Sequence, residues 1–194
     1  MPLSLRLIAI VLAGAIVALS CFAVYRTIFP EQVASHSKLE GMENYVPARE
    51  VKPAADVHFL DEAGQDLSLQ QFRGRVIVLN LWATWCTPCV AEMPMLDRLQ
   101  QRLGDTDAVV IALSIDRGGA KAVREFFDRE GIGNLKIYVD PTMRAQSTLQ
   151  AFGLPTTLII DPEGNERGRL IGPAEWDEDA ALDLITSAKA PSKP

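Results

Sequence analysis

Histidine and cysteine are scarce in this chain of 194 residues: there are two histidines, His36 and His58, and three cysteines, Cys21, Cys86 and Cys89. That scarcity argues against a zinc module. Cys86 and Cys89 would need two more ligands, yet Cys21 lies in an apolar segment and both histidines lie far upstream. Beyond residue 26 only Cys86 and Cys89 remain, so no second, structural disulfide can form there. An excess of positive charge is also missing. The net charge is −6, from 19 Lys and Arg against 25 Asp and Glu. With no basic patch, nucleic acid is excluded as the expected partner. No internal repeat is visible. Charge of either sign is absent from residues 7–25, an apolar run between Arg6 and Arg26.

That run is long enough to span a bilayer. It predicts an uncleaved membrane anchor over residues 1–26. Two alternatives stay open, cleavage after Ala18-Leu19-Ser20 and lipidation of Cys21. Against cleavage, Cys21-Phe22-Ala23-Val24-Tyr25 continues the apolar run past the small residues. Against lipidation, Ala-Leu-Ser fits a lipoprotein signal poorly. One arginine on each side gives only a slight orientation bias. Residues 27–53, with Pro30, Gly41, Pro47 and Pro53 among scattered charges and serines, predict a linker. Residues 54–190 predict a single domain.

The centre of that domain is Trp82-Ala83-Thr84-Trp85-Cys86-Thr87-Pro88-Cys89-Val90-Ala91-Glu92-Met93-Pro94. The apolar run 76–81 before it predicts a buried strand. The stretch after it, to about Leu103 and the stop at Gly104, has helical spacing. The cysteines therefore sit where a strand turns into a helix. Unpaired N–H groups and the positive end of the helix dipole lower the pKa of Cys86 there. The i, i+3 spacing puts Cys89 within disulfide reach on the same face. Pro88 is harmless in the first turn, while Pro94 predicts a kink. A short loop at a helix start suits exchange better than stapling. Glu92 follows Cys89 by three residues on the same face. A carboxylate there would exchange protons with the buried thiol and raise a neighbouring thiolate's pKa. Its alternative is a solvated surface glutamate. Asn80, six residues before Cys86, reads as a hydrogen-bonded core amide.

Along the rest of the domain, 57–60 and 66–69 predict a hairpin. Residues 108–115 predict a second buried strand, 120–130 a helix stopped by Gly131, and 136–139 a third strand. Asp140-Pro141 predicts a helix start, with the helix running to about Phe152. Residues 156–160 and 167–171 predict a second hairpin, and 175–188 the last helix. Strands alternate with helices and end in a hairpin, which predicts an α/β domain with a mixed central sheet flanked by helices.

The cysteine stretch resembles the active site of thioredoxin-like proteins, and in particular the membrane-anchored TlpA-type thiol–disulfide oxidoreductases. Further matches to that group are Gly153-Leu154-Pro155-Thr156-Thr157, Ile159-Ile160-Asp161-Pro162-Glu163-Gly164-Asn165 and Gly172-Pro173-Ala174-Glu175-Trp176. The likeness covers about residues 50–188. It implies a thioredoxin-like fold with an N-terminal β-hairpin and an inserted strand–helix unit within roughly 120–150, preceded by one transmembrane helix. It implies that Cys86 attacks, that Cys89 resolves, and that the two form a redox-active disulfide without cofactor or metal. It also implies that Pro155 is a cis-proline opposite the cysteines, that Glu92 relays protons, and that Asn80 stands where ordinary thioredoxins place a buried aspartate. Trp85 is expected as a lid over the disulfide, with core packing as its alternative.

The resemblance further implies a monomer in the cytoplasmic membrane whose domain faces the periplasm, recharged by a membrane electron donor. Its expected clients are copper-site assembly factors of cytochrome oxidase, or apocytochrome c before haem attachment. A different class stays open: a metallochaperone carrying Cu(I) on Cys86 and Cys89. Relatives of that kind use a wider cysteine spacing plus a distant histidine, and no histidine follows His58. A thiol peroxidase is disfavoured, because Thr84 lacks the proline that its nucleophile motif requires.

Overall fold

Every residue of the strand Val76–Trp82 is buried, which is why it reads as a nearly continuous apolar run and sits at the centre of the sheet. In the computed structural model, residues 18–20, 22–25, 41–104 and 106–189 are described. The chain divides into two units, Met1–Glu40 and Gly41–Pro194. In the first, residues 18–20 and 22–25 are helical and exposed. Among the described residues no helix is long and apolar enough to cross a membrane. The rest of the predicted span, Cys21 included, lies outside the described residues.

Among its described residues the second unit has eight strands: β1 (Tyr45–Pro53), β2 (His58–Asp61), β3 (Asp66–Ser68), β4 (Val76–Trp82), β5 (Ala108–Ser114), β6 (Tyr138–Val139), β7 (Thr156–Ile160) and β8 (Asn165–Ile171). Its helices are α1 (Thr87–Leu103), α2 (Gly119–Glu130), α3 (Arg144–Thr148) and α4 (Asp179–Ala188). All eight strands form one sheet in the order β1-β8-β7-β4-β5-β6-β2-β3. β4, β5 and β6 run parallel, and every other pairing is antiparallel, so the sheet is mixed.

Alternation along β4 separates two packed layers. Ile77, Leu79 and Leu81 join Phe59, Phe72, Tyr138, Ala145 and Leu149 in one cluster. There Phe59 stands edge-on to Tyr138 at 5.3 Å. Trp82, two residues beyond Asn80 on the other face, meets Phe126 and Phe127 of α2 at 5.1 and 6.1 Å. Each such ring pair adds about 0.5–1.5 kcal/mol beyond the area it buries.

Four segments differ from the sequence expectation. Residues 45–53, placed in the linker by their prolines, form β1. It is an edge strand paired with β8, where Pro47 and Pro53 are tolerated because one side carries no ladder. Gly168 of β8 admits this neighbour: a Cβ there would lie 2.6 Å from the Val46 carbonyl oxygen. The third strand shortens to Tyr138–Val139. The helix predicted from Asp140 to Phe152 shrinks to α3. Asp140 does accept from the Thr142 and Ala145 N–H groups at 3.0 and 2.7 Å. Yet Met143 and Gln150 have φ of 59° and 54°, and these left-handed residues bound the helix on both sides. The last helix begins at Asp179 rather than Glu175, which leaves residues 172–178 to turn inward over α1.

Candidate active site

Cys86 is the N-cap of α1 and contributes no side-chain cap, so its sulfur is not committed to the helix start. Its N–H donates to the Ala83 carbonyl at 3.1 Å, and its carbonyl accepts from the Val90 N–H at 3.0 Å. Cys86 and Cys89 are joined in a disulfide with a Cα–Cα distance of 5.3 Å. Cys86 keeps 7% of its surface exposed and Cys89 none. Access to the pair is therefore through Cys86. Trp85 is 65% exposed, which excludes core packing as its role and leaves the indole at the surface beside the disulfide.

The Leu154–Pro155 peptide bond is cis. Thr156 pairs with Leu81 of β4 on one side and Ile171 of β8 on the other. Pro155 thus lies at the sheet end where β4 releases the cysteine turn. Its carbonyl accepts from the Gly172 N–H at 2.9 Å, and the Thr156 hydroxyl donates to the Gly153 carbonyl at 2.7 Å.

Glu92 is not on a solvated surface. It is fully buried and accepts from three donors: Asn80 Nδ2 at 2.7 Å, Trp176 Nε1 at 3.1 Å and the Ala174 N–H at 3.3 Å. Burial pushes its pKa up to about 7, and the three donors oppose the rise without cancelling it. A group that titrates there takes or gives a proton at neutral pH, as a general acid–base should. Asn80 also donates to Thr157 Oγ1 at 2.8 Å, so it is a core amide, but one tied directly to the carboxylate. Asn80 Oδ1 is buried and has no partner among the described residues. The segment carrying Ala174 and Trp176 is fastened to α1 by Arg98, which pairs with Asp177 at 2.7 Å, and by Arg102, which pairs with Asp179 at 2.6 Å and donates to the Asp177 carbonyl.

Sequence reasoning missed three participants. Trp176 stood within a quoted match but carried no role. Thr157 did likewise. Asp116 was not singled out at all. It is buried, and its carboxylate accepts from the Thr84 N–H, the Thr84 hydroxyl and the Ser114 hydroxyl, each at 2.8 Å. It thereby fixes the turn that presents Cys86. A signal existed: parallel pairing of β4 with β5 sets Trp82 against Ser114 and so brings position 116 beside position 84.

Known proteins are similar to this chain. The AhpC/TSA family model matches residues 51–167. The thiol-disulfide oxidoreductase ResA of Bacillus thuringiensis is 30% identical over 121 residues, which is 62% of this chain and 69% of that protein. The thioredoxin-like protein YneN of Bacillus subtilis is 34% identical over 121 residues, 61% of this chain and 69% of its own length. Among solved structures, a DsbF homologue from Corynebacterium diphtheriae superposes with a TM-score of 0.63 at 22% identity, over 76% of this chain and 94% of that one. At that identity the likeness speaks for the fold.

Proposed function

The chain belongs to the AhpC/TSA family and is a thiol–disulfide oxidoreductase with a thioredoxin-like fold, and from that premise we propose that it reduces disulfides in client proteins outside the cytoplasm while held to the membrane by residues 1–26. The observation that carries the exchange chemistry in this reading is the pairing of a slightly exposed Cys86 with a fully buried Cys89, one helical turn from a buried Glu92 whose pKa is pushed up to about 7; the compartment and the anchor rest on the TlpA-type resemblance and the apolar run 7–25.

In this reading the exchange runs as follows. Starting from the reduced pair, the Cys86 thiolate attacks one sulfur of a client disulfide. A mixed disulfide forms and one client sulfur leaves as thiolate. Cys89 then gives its proton to the Glu92 carboxylate and attacks the Cys86 sulfur. The Cys86–Cys89 disulfide closes, and the second client sulfur departs. Two electrons have passed to the client; its two thiolates take up protons from water, Glu92 releases to water the proton it took from Cys89, and the client ends as a dithiol. A membrane donor of two electrons and two protons returns the pair to its reduced state. In this reading a client segment docks at the sheet end that carries Pro155, where β4 releases the cysteine turn. The client class is a folded or unfolded extracytoplasmic protein, with copper-site assembly factors of cytochrome oxidase ahead of apocytochrome c, a preference that rests on the TlpA-type resemblance.

The test is capture in the cell. A Cys89→Ser chain keeps the attacking thiol and lacks the resolving one, so a covalent client complex should accumulate and dissolve on adding a small dithiol. A Cys89→Ser chain that traps no protein would sink the reading.

A further inference from the structure

Glu92 is surrounded by donors. Trp176 Nε1 and the Ala174 N–H both point to its Oε2, and neither is able to accept. The arrangement suits a carboxylate. A protonated Glu92 carries a hydroxyl that must donate, and a buried donor without an acceptor is costly. Asn80, on Oε1, is the one partner with both a donor and an acceptor. Its acceptor, Oδ1, is buried and has no partner among the described residues.

We propose that Asn80 is a positioning residue for the proton step: its side-chain amide turns through half a rotation as Glu92 gains or loses a proton, donating to the carboxylate and accepting from the carboxylic acid. Rotation about the terminal bond of an asparagine is roughly two-fold, so both orientations fit one cavity. Thr157 follows the turn, because its hydroxyl both accepts and donates. With Glu92 ionised, Asn80 Nδ2 donates to Glu92 Oε1 and to Thr157 Oγ1. With Glu92 protonated, the Glu92 hydroxyl and the Thr157 hydroxyl both donate to Asn80 Oδ1. Each orientation makes two bonds; the first leaves the acceptor Oδ1 unpartnered and the second leaves the two N–H groups of Nδ2 unpartnered. Neither protonation state is therefore locked by the number of bonds. An aspartate at position 80 would instead set two carboxylates on one proton.

Among the described residues no charged group takes Asn80's place. β4 offers Asn80, β7 offers Thr157, and the 172–178 segment offers Ala174 and Trp176. In that segment Glu175 is exposed, and Asp177 is paired with Arg98. Besides Glu92 itself, the titratable groups buried on α1 are Cys89 and Asp97, the last bonded to the N–H groups of Asn134 and Leu135, and Cys86 stands at its N-cap. From β5, Asp116 is bonded to Thr84 and Ser114.

For its use in catalysis this inference rests on Glu92 as the proton group of the exchange. Its occurrence is separately measurable. In the full chain, labelled with carbon-13 and nitrogen-15, the Glu92 carboxyl carbon and the Asn80 side-chain amide are followed from about pH 5 to about pH 9, the range of perturbed carboxylates. The Asn80 amide signals should move between two limits with the same midpoint as Glu92. In Glu92→Gln the new side-chain NH2 donates to Asn80 Oδ1, so the Asn80 signals should sit at the low-pH limit and cease to titrate. Asn80 signals that stay constant while Glu92 titrates would overturn the proposal. So would a Glu92 that does not titrate in this range, or Asn80 signals in Glu92→Gln at the high-pH limit. Trapping of clients by Cys89→Ser is read independently, so failure of one leaves the other standing.

Discussion

Asp116 grips Thr84 at two points: Oδ2 accepts the Thr84 N–H and Oδ1 accepts the Thr84 hydroxyl, both at 2.8 Å. Thr84 lies two residues before Cys86, and Asp116 lies two residues beyond the end of β5. The turn that aims Cys86 is thus held from a neighbouring strand and does not depend on its own backbone alone.

Removing that grip should cost both stability and rate. Asp116→Ala strips the acceptor from a backbone N–H and two hydroxyls, and should destabilise the oxidised protein by about 2–4 kcal/mol in denaturant unfolding. Thr84→Val keeps the N–H bond and loses only the hydroxyl, so about 1–2 kcal/mol is expected. Both variants should slow disulfide exchange, Asp116→Ala more. Equal stability of Asp116→Ala and the unaltered chain would show that the turn stands unaided.

Glu92 gives the protein a pH-dependent stability. Its pKa rises from 4.5 to about 7 on folding, so between these values the folded protein holds a proton that the unfolded chain releases. The stability due to this group is full below about pH 4.5, falls as pH rises, and is gone above about pH 7. The total is about 3 kcal/mol, from a shift of about 2.5 units at about 1.4 kcal/mol each. Unfolding midpoints measured across this window should slope downward, and Glu92→Gln should flatten the slope. The same variant should slow exchange near neutral pH and lower the apparent thiol pKa, because a negative neighbour is removed. An unaltered slope in Glu92→Gln would assign the pH dependence to other groups.

The cysteine site was legible because its signals are local. A strand, a turn and two cysteines three apart place Cys86 and Cys89 at a helix start without any long-range contact. Pro155 depended on a resemblance, since nothing in its immediate neighbours fixes a cis bond. Glu92 was placed on the right face by helical period. Its burial, though, comes from Ala174 and Trp176, eighty-odd positions away, where the predicted helix 175–188 concealed an inward turn. Asp116 was illegible by itself, as one acidic residue among 25 acids. β1 was hidden by Pro47 and Pro53, which mark a linker by composition and are harmless on an edge strand. Left-handed Met143 truncated a helix whose cap residue, Asp140, had been read from the sequence.

Membrane topology has a direct readout. With residues 1–26 as an anchor and the catalytic domain outside the cytoplasm, an alkaline-phosphatase fusion after Val51 should be active, since that enzyme acquires its own disulfides only in an oxidising compartment. The full-length protein should stay with the membrane fraction after a high-salt wash. An inactive fusion would place the disulfide chemistry in the cytosol.

The unequal burial of the two sulfurs predicts unequal chemistry. Cys86 is at the helix start with 7% of its surface open, and Cys89 is closed off a turn further in. The unpaired N–H groups of the first turn favour the Cys86 thiolate, while burial opposes charge on Cys89. Alkylation of the reduced protein should therefore occur at Cys86 at least about tenfold faster than at Cys89, with a pH midpoint below the free-thiol value of about 8.5. Mapping the modified residue by mass spectrometry across pH reads both quantities. Cys86→Ser should abolish reduction of any client, because no accessible nucleophile is left to form the mixed disulfide. Should Cys89 prove the faster thiol, or should the reduced pair bind Cu(I) tightly while Cys89→Ser captures no client, the exchange mechanism gives way to metal carriage by the same two sulfurs.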